Sequence, residues 1–361
     1  MLTGDVMCGR GIDQIMPYHN PPLLYEPWIR DAREYIHIAE EVHGAIPRHV
    51  GFDYIWGESL KEMEKRKPHV RIINLETSIT ISNSYWPAKG INYRMHPVNT
   101  PILKSAQIDC CALANNHVLD WDRPGLEETL QSLHNEGIRY AGAGKSKSEA
   151  FAPAVLNTEH GRVLFFSVGF GSSGVPSQWA ATEKQSGVAF FREPSDAVLE
   201  EMQQLVRRYR KEDDVVLFSL HWGDNWDYSV YPEEQRFAHG LIDVAGVDVV
   251  HGHSSHHLKG IEVHNDRLIL YGCGDLINDY EGIGGNEMFR GDLSALYFAS
   301  INSRNGTLAG LEVVPFTMEK FSLRKVEEED MITMNEIFNR EGRKLGTAAE
   351  LKDTDSLLLK W

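Results

Sequence analysis

A short polar segment at the end of an apolar run contains residue types suited to metal-assisted proton transfer. Residues 112–120 read Ala-Leu-Ala-Asn-Asn-His-Val-Leu-Asp, within and just after the apolar run that begins at Ile108. The amide oxygen of Asn116 can bind a metal, the imidazole of His117 can transfer a proton, and Asp120 can hold that imidazole in one tautomer. Asparagine is also common in solvated turns, so the segment alone fits a catalytic turn and an ordinary turn equally well.

The elements around this segment predict where it lies in the fold. The apolar residues 108–113 predict a buried strand, and three leucines spaced along residues 126–133 predict a helix that starts soon after the polar segment. Open α/β sheets bind ligands at the carboxyl ends of their strands. We therefore expect Asn116 and His117 at that edge of a sheet.

Four further predicted strands end in, or next to, a polar side chain that can bind a metal. The predicted strands are residues 2–7, 70–76, 214–220 and 247–250, and the candidate ligands are Asp5, Glu76, His221, His253 and His256. An unpaired buried carboxylate such as Glu76 costs free energy, which a metal or cationic partner offsets. Carboxylate, amide and imidazole ligands suit one or two divalent ions of Mn, Fe or Zn, and two ions about 4 Å apart can assist a hydrolytic displacement.

A histidine-rich stretch follows the last of these strands. Residues 251–257 read His-Gly-His-Ser-Ser-His-His, with four histidines among seven residues. Packing in the core does not explain four histidines so close together. A run of histidines exposed at the surface is the alternative explanation. We expect His253 and His256 to bind metal, with His251 as the reserve candidate.

Two arginines are candidates for substrate binding. Arg10 lies between glycines after the first strand, and Arg94 lies in a predicted loop at residues 92–97. A guanidinium can orient the oxygens of an anionic substrate. A solvent-exposed position is the default alternative for Arg10, and a structural role in the loop fits Arg94 at least as well as substrate binding.

Length and charge limit the classes of protein that this chain can represent. Its 361 residues suggest one large domain or two modest ones, and the formal net charge is −16. We expect a domain over residues 1–317, with a covering insertion at about 12–68 and a helical tail over 318–361 packed on the same domain. The acidic balance argues against nucleic acid as a partner, whereas a small anionic substrate remains compatible because bound cations invert the local field.

Cysteine spacing and hydropathy predict the cellular compartment. The four cysteines form no spaced metal-binding pair, which favours a reduced protein. No charged leader or membrane-length apolar segment is visible. We therefore expect a soluble cytoplasmic protein without membrane insertion; its oligomeric state is not decided by the sequence.

Several short motifs follow one another along the chain. They are Gly4-Asp5-Val6-Met7-Cys8-Gly9-Arg10, Asn74-Leu75-Glu76, Leu113-Ala114-Asn115-Asn116-His117, His221-Trp222-Gly223, Gly252-His253-Ser254-Ser255-His256, Gly260-Ile261-Glu262 and Tyr271-Gly272-Cys273-Gly274-Asp275. In this order they resemble the motifs of the calcineurin-like metallophosphoesterase superfamily, and more closely those of the poly-γ-glutamate capsule protein family often called CapA or PgsA. The resemblance spans about residues 2–280.

This resemblance implies an α/β fold, a four-layer α/β/β/α sandwich of the metallophosphoesterase type, and assigns roles within it. Asp5, Glu76, Asn116 and His221 would be metal ligands, with Glu76 as the bridging carboxylate. His117 would protonate the leaving oxygen, steadied by Asp120. The superfamily's Asp-x-His opening reads Asp-Val-Met here and the late histidine element has an extra residue, so a mononuclear or asymmetric site is an open alternative.

The expected activity is that of a soluble metal-dependent hydrolase, most simply a phosphoesterase. Its predicted mechanism is attack by a metal-bound hydroxide, with His117 as general acid. Hydrolysis of an amide such as a γ-glutamyl bond is an alternative, as is a non-catalytic accessory role in poly-γ-glutamate synthesis. The expected partner is a small anionic substrate or a glutamyl polymer.

Overall fold

The computed structural model describes residues 1–353 and 355–361 of the chain. Its strands are β1 (Leu2–Val6), β2 (Ile72–Leu75), β3 (Ser78–Ile79), β4 (Arg94–Met95), β5 (Cys110–Ala112), β6 (Arg139–Ala141), β7 (Ala143–Gly144), β8 (Ala154–Thr158), β9 (Gly161–Phe170), β10 (Gly187–Val188), β11 (Phe190–Phe191), β12 (Val215–His221), β13 (Val249–His253), β14 (Ile261–His264), β15 (Arg267–Leu270), β16 (Asp275–Ile277), β17 (Leu293–Ile301), β18 (Leu308–Glu319), β19 (Ser322–Lys325), β20 (Ala348–Asp353) and β21 (Ser356–Lys360).

The α-helices lie mainly between the strands of the first two thirds of the chain. They are α1 (Arg10–Ile15), α2 (Arg33–His43), α3 (Ser59–Arg66), α4 (Pro101–Ser105), α5 (Asp122–Asn135), α6 (Lys147–Ala150), α7 (Asp196–Tyr209), α8 (Pro232–Asp243) and α9 (Glu328–Gly342). In the described part of the chain, none of these helices combines the length and the apolar character required to cross a bilayer.

The two main sheets differ in strand direction. The larger sheet has the order β20-β21-β18-β17-β1-β2-β5-β6, with β16 also on β1 and β19 also on β18. Its strands β16, β1, β2, β5 and β6 are parallel, and the late strands are antiparallel. The smaller sheet has the order β11-β9-β12-β13-β15-β14, with a parallel centre formed by β9, β12, β13 and β15.

The side chains of the central strands alternate between two apolar layers. In β12, Leu217 faces the core between the two sheets, while Val216 and Phe218 face α7 and α8. In β5, Cys110 belongs to the core between the sheets and Cys111 to the core beneath the helices of the larger sheet. This period of two is what strands buried on both faces require. The layers are therefore helix, sheet, sheet and helix, which confirms the predicted four-layer α/β/β/α sandwich.

The last part of the chain differs from the expected helical tail. Among its described residues, only those of α9 form a helix of several turns, and β19, β20 and β21 extend the antiparallel side of the larger sheet. Residues 348–353 read Ala-Ala-Glu-Leu-Lys-Asp, whose types favour a helix. Pairing of β21 with both β18 and β20 overrides this weak local preference. The division into a domain, an insertion and a tail stays a prediction.

Candidate metal centre

The predicted ligands converge where the carboxyl ends of the parallel strands of both sheets meet. Two groups of ligand atoms form there, each with all atoms within 4.8 Å of one another, and Asp5 belongs to both. We call the following residues the metal centre: Asp5, Glu76, Asn116, His221, His253, His256 and Asp275. The first group is Asp5, His221 and His253, and the second is Asp5, His256 and Asp275.

Strand register explains why these side chains are neighbours. Asp5 lies opposite Asp275 in the parallel pair β1 and β16, and His221 lies opposite His253 in β12 and β13. Gly4 permits the close approach, because a Cβ atom at that position would lie 1.6 Å from the carbonyl oxygen of Gly274. Any side chain at residue 4 would therefore separate β1 from the turn that leads into β16.

The imidazole side of the centre is buried and neutral. The Nδ1 atoms of His221 and His253 lie 2.6 Å apart, so only one of them can donate a hydrogen bond to the other. His221 Nε2 lies 3.1 Å from Asn116 Oδ1 and 3.6 Å from Glu76 Oε1. Burial holds the pKa of both histidines well below the usual range. Neutral imidazole is the form that binds a metal.

The carboxylate side of the centre is buried, and too little positive charge lies beside it to balance its carboxylates. Asn74 Nδ2 donates to Asp5 Oδ1 at 2.7 Å and to Glu76 Oε2 at 2.5 Å. The other oxygen of Asp5 is buried without a hydrogen-bond partner among the described residues. Burial, followed by the charge of Asp275, raises the pKa of Asp5 to about 8, and burial and Asp5 raise the pKa of Glu76 well above its usual range. An orphaned acceptor beside repelling carboxylates fits a bound cation.

His256 and Asp275 complete this side. His256 Nδ1 lies 3.0 and 3.1 Å from the two carboxylate oxygens of Asp275. Burial alone would lower the pKa of His256, but Asp275 raises it above its usual value. Asp275 was not identified as a ligand from the sequence, although the Gly-Cys-Gly-Asp turn after a strand was the available signal. The carboxylate common to both groups is Asp5, not Glu76, which was expected to bridge.

The consecutive asparagines have different functions. Asn115 Nδ2 donates to Asn74 Oδ1 at 3.0 Å, and Asn115 Oδ1 accepts from the backbone of His117 and Val118. Asn115 therefore fixes the turn, which leaves Asn116 to reach His221. Asn115 was not singled out from the sequence, because either residue of an Asn-Asn pair can close a turn, and Asn74 was not, because it lies within the apolar run of β2.

His117 and Asp120 form the predicted pair beside the centre. His117 Nδ1 lies 2.7 Å from Asp120 Oδ2, which also accepts from the backbone nitrogen of Tyr93 at 2.6 Å. Because a carboxylate only accepts, it fixes the proton on Nδ1 and leaves Nε2 for chemistry. Burial lowers the pKa of His117 to about 4, against the opposing charge of Asp120.

A lysine that sequence reasoning missed joins this pair. Lys89 Nζ lies 2.7 Å from Asp120 Oδ1, 3.0 Å from His117 Nδ1 and 3.2 Å from the carbonyl oxygen of Ile91. It lies in an irregular segment between β3 and β4 with no periodic pattern to reveal its direction. The ammonium group therefore pairs with Asp120 beside the imidazole, and its approach to His117 Nδ1 is a close contact and not a hydrogen bond, because the Nδ1 proton is donated to Asp120.

The two arginines expected to bind substrate have internal partners instead. Arg10 donates to Glu26 and Asp279 in what we call the arginine cluster, which comprises these three residues. Arg94 packs with its guanidinium carbon 3.7 Å from the centroid of the Trp121 ring and donates to the carbonyl of Ser82. Both side chains are buried, so we leave them out of the proposed substrate site.

His251, the reserve candidate, also lies apart from the two ligand groups. Its Nε2 atom lies 2.7 Å from the carbonyl oxygen of Thr3, and its Nδ1 atom lies 3.2 Å from Ser219 Oγ. The contact with Thr3 links β13 to β1 of the other sheet, and the contact with Ser219 links it to the neighbouring strand β12. His253, two residues along the same strand, projects on the same face but one step nearer the centre.

Comparison with known proteins identifies the family. Residues 1–280 match the family described as bacterial capsule synthesis protein PGA_cap. Two Mycobacterium tuberculosis proteins, from strains CDC 1551 / Oshkosh and H37Rv, are each named probable polyglutamine synthesis accessory protein. Each is 41% identical over 348 residues, covering 96% of this chain and 91% of its own length. The PGA biosynthesis protein CapA of Bacillus subtilis (strain 168) is 29% identical over 207 residues, which cover 57% of this chain and 52% of that protein. The capsule biosynthesis protein CapA of Bacillus anthracis is 23% identical over 325 residues, which cover 90% of this chain and 68% of that protein. The resemblance read from the motifs is confirmed, and the chain belongs to the bacterial capsule synthesis protein PGA_cap family.

Proposed function

We propose that this protein is a metal-dependent hydrolase that acts in the synthesis of a glutamyl capsule polymer. The observation that carries the proposal is the pair of ligand groups sharing Asp5, with a buried His117–Asp120 pair next to them. Relatives named for polyglutamine or PGA synthesis support the polymer context. The family alone does not distinguish an enzyme from an accessory protein, so the case for catalysis rests on this geometry.

The residues of the metal centre fit one or two divalent ions of the Mn, Fe or Zn class. His221, His253 and Asn116 would hold an ion on the imidazole side, and His256 and Asp275 would hold one on the carboxylate side. Asp5 would contribute to both. When bound, such ions lower the pKa of water and polarise the oxygen of the bond to be cleaved.

His117 would supply the proton that the leaving oxygen requires. Asp120 holds its Nδ1 proton, and the ring stacks on Tyr93 with centroids 4.0 Å apart, so the imidazole has one orientation. Its low pKa keeps it neutral at rest, but an anionic substrate nearby favours the charged form and raises that pKa. General acid catalysis of this kind contributes about 10²–10⁴-fold in rate.

A phosphoester is the first candidate substrate, because the ligand set resembles that of metallophosphoesterases. An amide of the γ-glutamyl type is the second. Two observations favour it: the names of the relatives point to a glutamate polymer, and Arg10 and Arg94 are both engaged elsewhere. Ions that polarise a phosphoryl oxygen polarise a carbonyl oxygen as well.

The deciding experiment combines metal analysis with a substrate panel. The full chain is purified without chelator, its metal content is measured, and it is assayed against phosphoesters and γ-glutamyl peptides. We expect bound metal and chelator-sensitive hydrolysis of one class. His239→Ala, a change on α8 away from the centre, is the control and should keep both properties. A metal-free protein under replete conditions, or a metal-loaded protein inactive on both classes, would favour the non-catalytic accessory role.

A further inference from the structure

The two sheets separate at the end opposite the metal centre. A cavity of about 730 Å³ lies there, lined by the first residues of the parallel strands, among them Leu2, Ile72 and Val249. Two histidines, His69 and His160, also line this cavity. Both are more than half exposed, which places them at its opening.

These histidines converge on one carboxylate oxygen. His69 Nε2 lies 3.4 Å from Glu159 Oε1, and His160 Nε2 lies 3.5 Å from the same atom. Both distances exceed the usual 2.7–3.2 Å range of an N–H···O hydrogen bond. One ligand atom from each of the three residues lies within 4.8 Å of the other two.

We propose that His69, Glu159 and His160 form a second metal site, for a divalent ion of the Zn class. Ligand atoms about 2.1 Å from a tetrahedral ion lie about 3.4 Å from one another, which matches the two measured separations. The histidine rings meet edge to face, at 86° with centroids 4.7 Å apart. Perpendicular ring planes intersect, so one ion can lie in both planes, as imidazole coordination requires.

A comparable cluster elsewhere lacks these properties. His239, Glu262 and His264 are also within 4.8 Å of one another, but the two rings are parallel to within 6° with centroids 3.7 Å apart. An ion cannot lie in two parallel planes. The His239 imidazole is already hydrogen-bonded to Glu262, and that of His264 to Asp243. This pair serves as a matched control, with the same residue types and a satisfied hydrogen-bond network.

The proposed ion would join the two sheets at their open end. His69 lies on the connection between α3 and β2 of the larger sheet, whereas Glu159 and His160 form the turn between β8 and β9 of the smaller sheet. A ligand that binds only the folded state stabilises it by an amount that grows with the logarithm of the ratio of free ligand concentration to Kd. Binding should therefore raise the melting temperature even when the metal centre is disabled.

The test uses Zn²⁺ alone and the full chain carrying Asp5→Asn, which disables the metal centre. Zn²⁺ stoichiometry and melting temperature are measured for this parent, for the parent with His69→Ala and His160→Ala, and for the parent with His239→Ala and His264→Ala. We expect the first double variant to bind one ion fewer per chain and to lose the Zn²⁺-dependent rise in melting temperature. The second should match the parent.

Two results would overturn the second site. One is equal stoichiometry and affinity in the parent and in the His69→Ala/His160→Ala variant. The other is loss of the ion only in the His239→Ala/His264→Ala variant. Neither depends on hydrolysis, because binding and melting are read without substrate, so the second site can fail while the proposed function stands.

Discussion

Two buried clusters of charged side chains lie next to each other in this protein and balance their charges in opposite ways. The arginine cluster joins Arg10 to Glu26 and Asp279. In the metal centre, Asp275 and the other ligands lie around Asp5, the carboxylate that the two ligand groups share. Their residues alternate along the chain, since Asp5 is followed closely by Arg10 and Asp275 by Asp279. The two clusters therefore cannot be distinguished by position in the sequence. They are distinguished by the partners of each charged side chain.

In the arginine cluster every charge has a partner within the chain. Arg10 Nη1 lies 3.0 Å from Glu26, and Asp279 accepts from Arg10 Nε at 3.2 Å and from the Gly11 backbone at 2.9 Å. The guanidinium carbon lies 3.7 Å from the centroid of the Tyr35 ring. Burial would lower the pKa of Arg10, but Asp279 and the other partners hold it well above the usual range.

The metal centre lacks this internal balance. Asp5 keeps a buried oxygen without a hydrogen-bond partner among the described residues, and burial together with Asp275 raises its pKa to about 8. A cluster whose charges are all paired within the chain contributes to stability. A cluster with an unpaired buried carboxylate oxygen requires a partner from outside the chain, such as a cation. The contrast predicts that replacing aspartate by asparagine has opposite consequences in the two clusters: loss of metal in one and loss of stability in the other.

Asp5→Asn should have the largest effect. Removing the carboxylate common to both ligand groups should empty the centre and reduce hydrolysis about 10⁴-fold or more, since the ions contribute several kcal/mol to the barrier. Stability in the presence of chelator should not fall, because burial and Asp275 raise the pKa of Asp5 to about 8, so that without an ion this carboxyl is already largely uncharged at neutral pH and asparagine has nearly the same shape. Metal content, turnover and urea unfolding measure the three effects. Unchanged metal content would refute the assignment of Asp5.

Asp279→Asn is the matched change in the arginine cluster. It weakens the bidentate contact with Arg10 and leaves Glu26 as the carboxylate that balances the buried guanidinium, so the free energy of unfolding should fall by about 2 kcal/mol. Metal content per folded chain should match the wild type. Urea unfolding and metal analysis on the same sample distinguish the two effects. A loss of metal without a loss of stability would mean that Asp279 belongs to the centre.

The sequence predicted the metal centre better than the arginine cluster for a physical reason. Each ligand follows or ends an apolar run, and parallel strands bring such ends to one edge, so Asp5, Glu76, Asn116 and His221 could be placed together. Arg10 was expected to face an anionic substrate because it lies between glycines. Its partners come from the irregular segment between α1 and α2 and from the bend after β16, and no local pattern indicates them.

The late strands illustrate the same limit for the fold. Residues 318–361 contain many charged and helix-favouring residues, which predicted a helical tail. Strand β21 is held by β18 on one side and β20 on the other. The pairing of β21 with β18, from which it is separated in sequence by β19, α9 and β20, is invisible to periodicity over a short window. The four layers were expected from the resemblance to metallophosphoesterases, whereas the apolar central strands by themselves predicted only buried sheet strands.

His117→Ala should separate proton transfer from metal binding. Turnover should fall by about 10²–10⁴-fold, as expected for loss of a general acid, while metal content stays unchanged. His221→Ala is the comparison, because His221 lies in a ligand group and its loss should reduce metal content and turnover together. Elemental analysis and steady-state kinetics of both variants provide the test. Equal losses in the two variants would identify His117 as a ligand.

Tyr93→Phe should have the smallest effect and tests whether the two clusters are independent. The Tyr93 ring stacks on His117 and lies with its centroid 4.8 Å from the guanidinium carbon of Arg10, so it touches both regions. Phenylalanine keeps these ring contacts and loses only the hydrogen bond to the Tyr280 hydroxyl, at 2.7 Å. We expect a loss of about 1 kcal/mol in unfolding free energy and unchanged turnover. Tyr35→Phe, which removes a hydroxyl bonded to Glu26, is the control confined to the arginine cluster. If Tyr93→Phe lowered turnover as His117→Ala does while Tyr35→Phe did not, the hydroxyl pair would couple the clusters, and their separation into a stabilising and a functional region would be wrong.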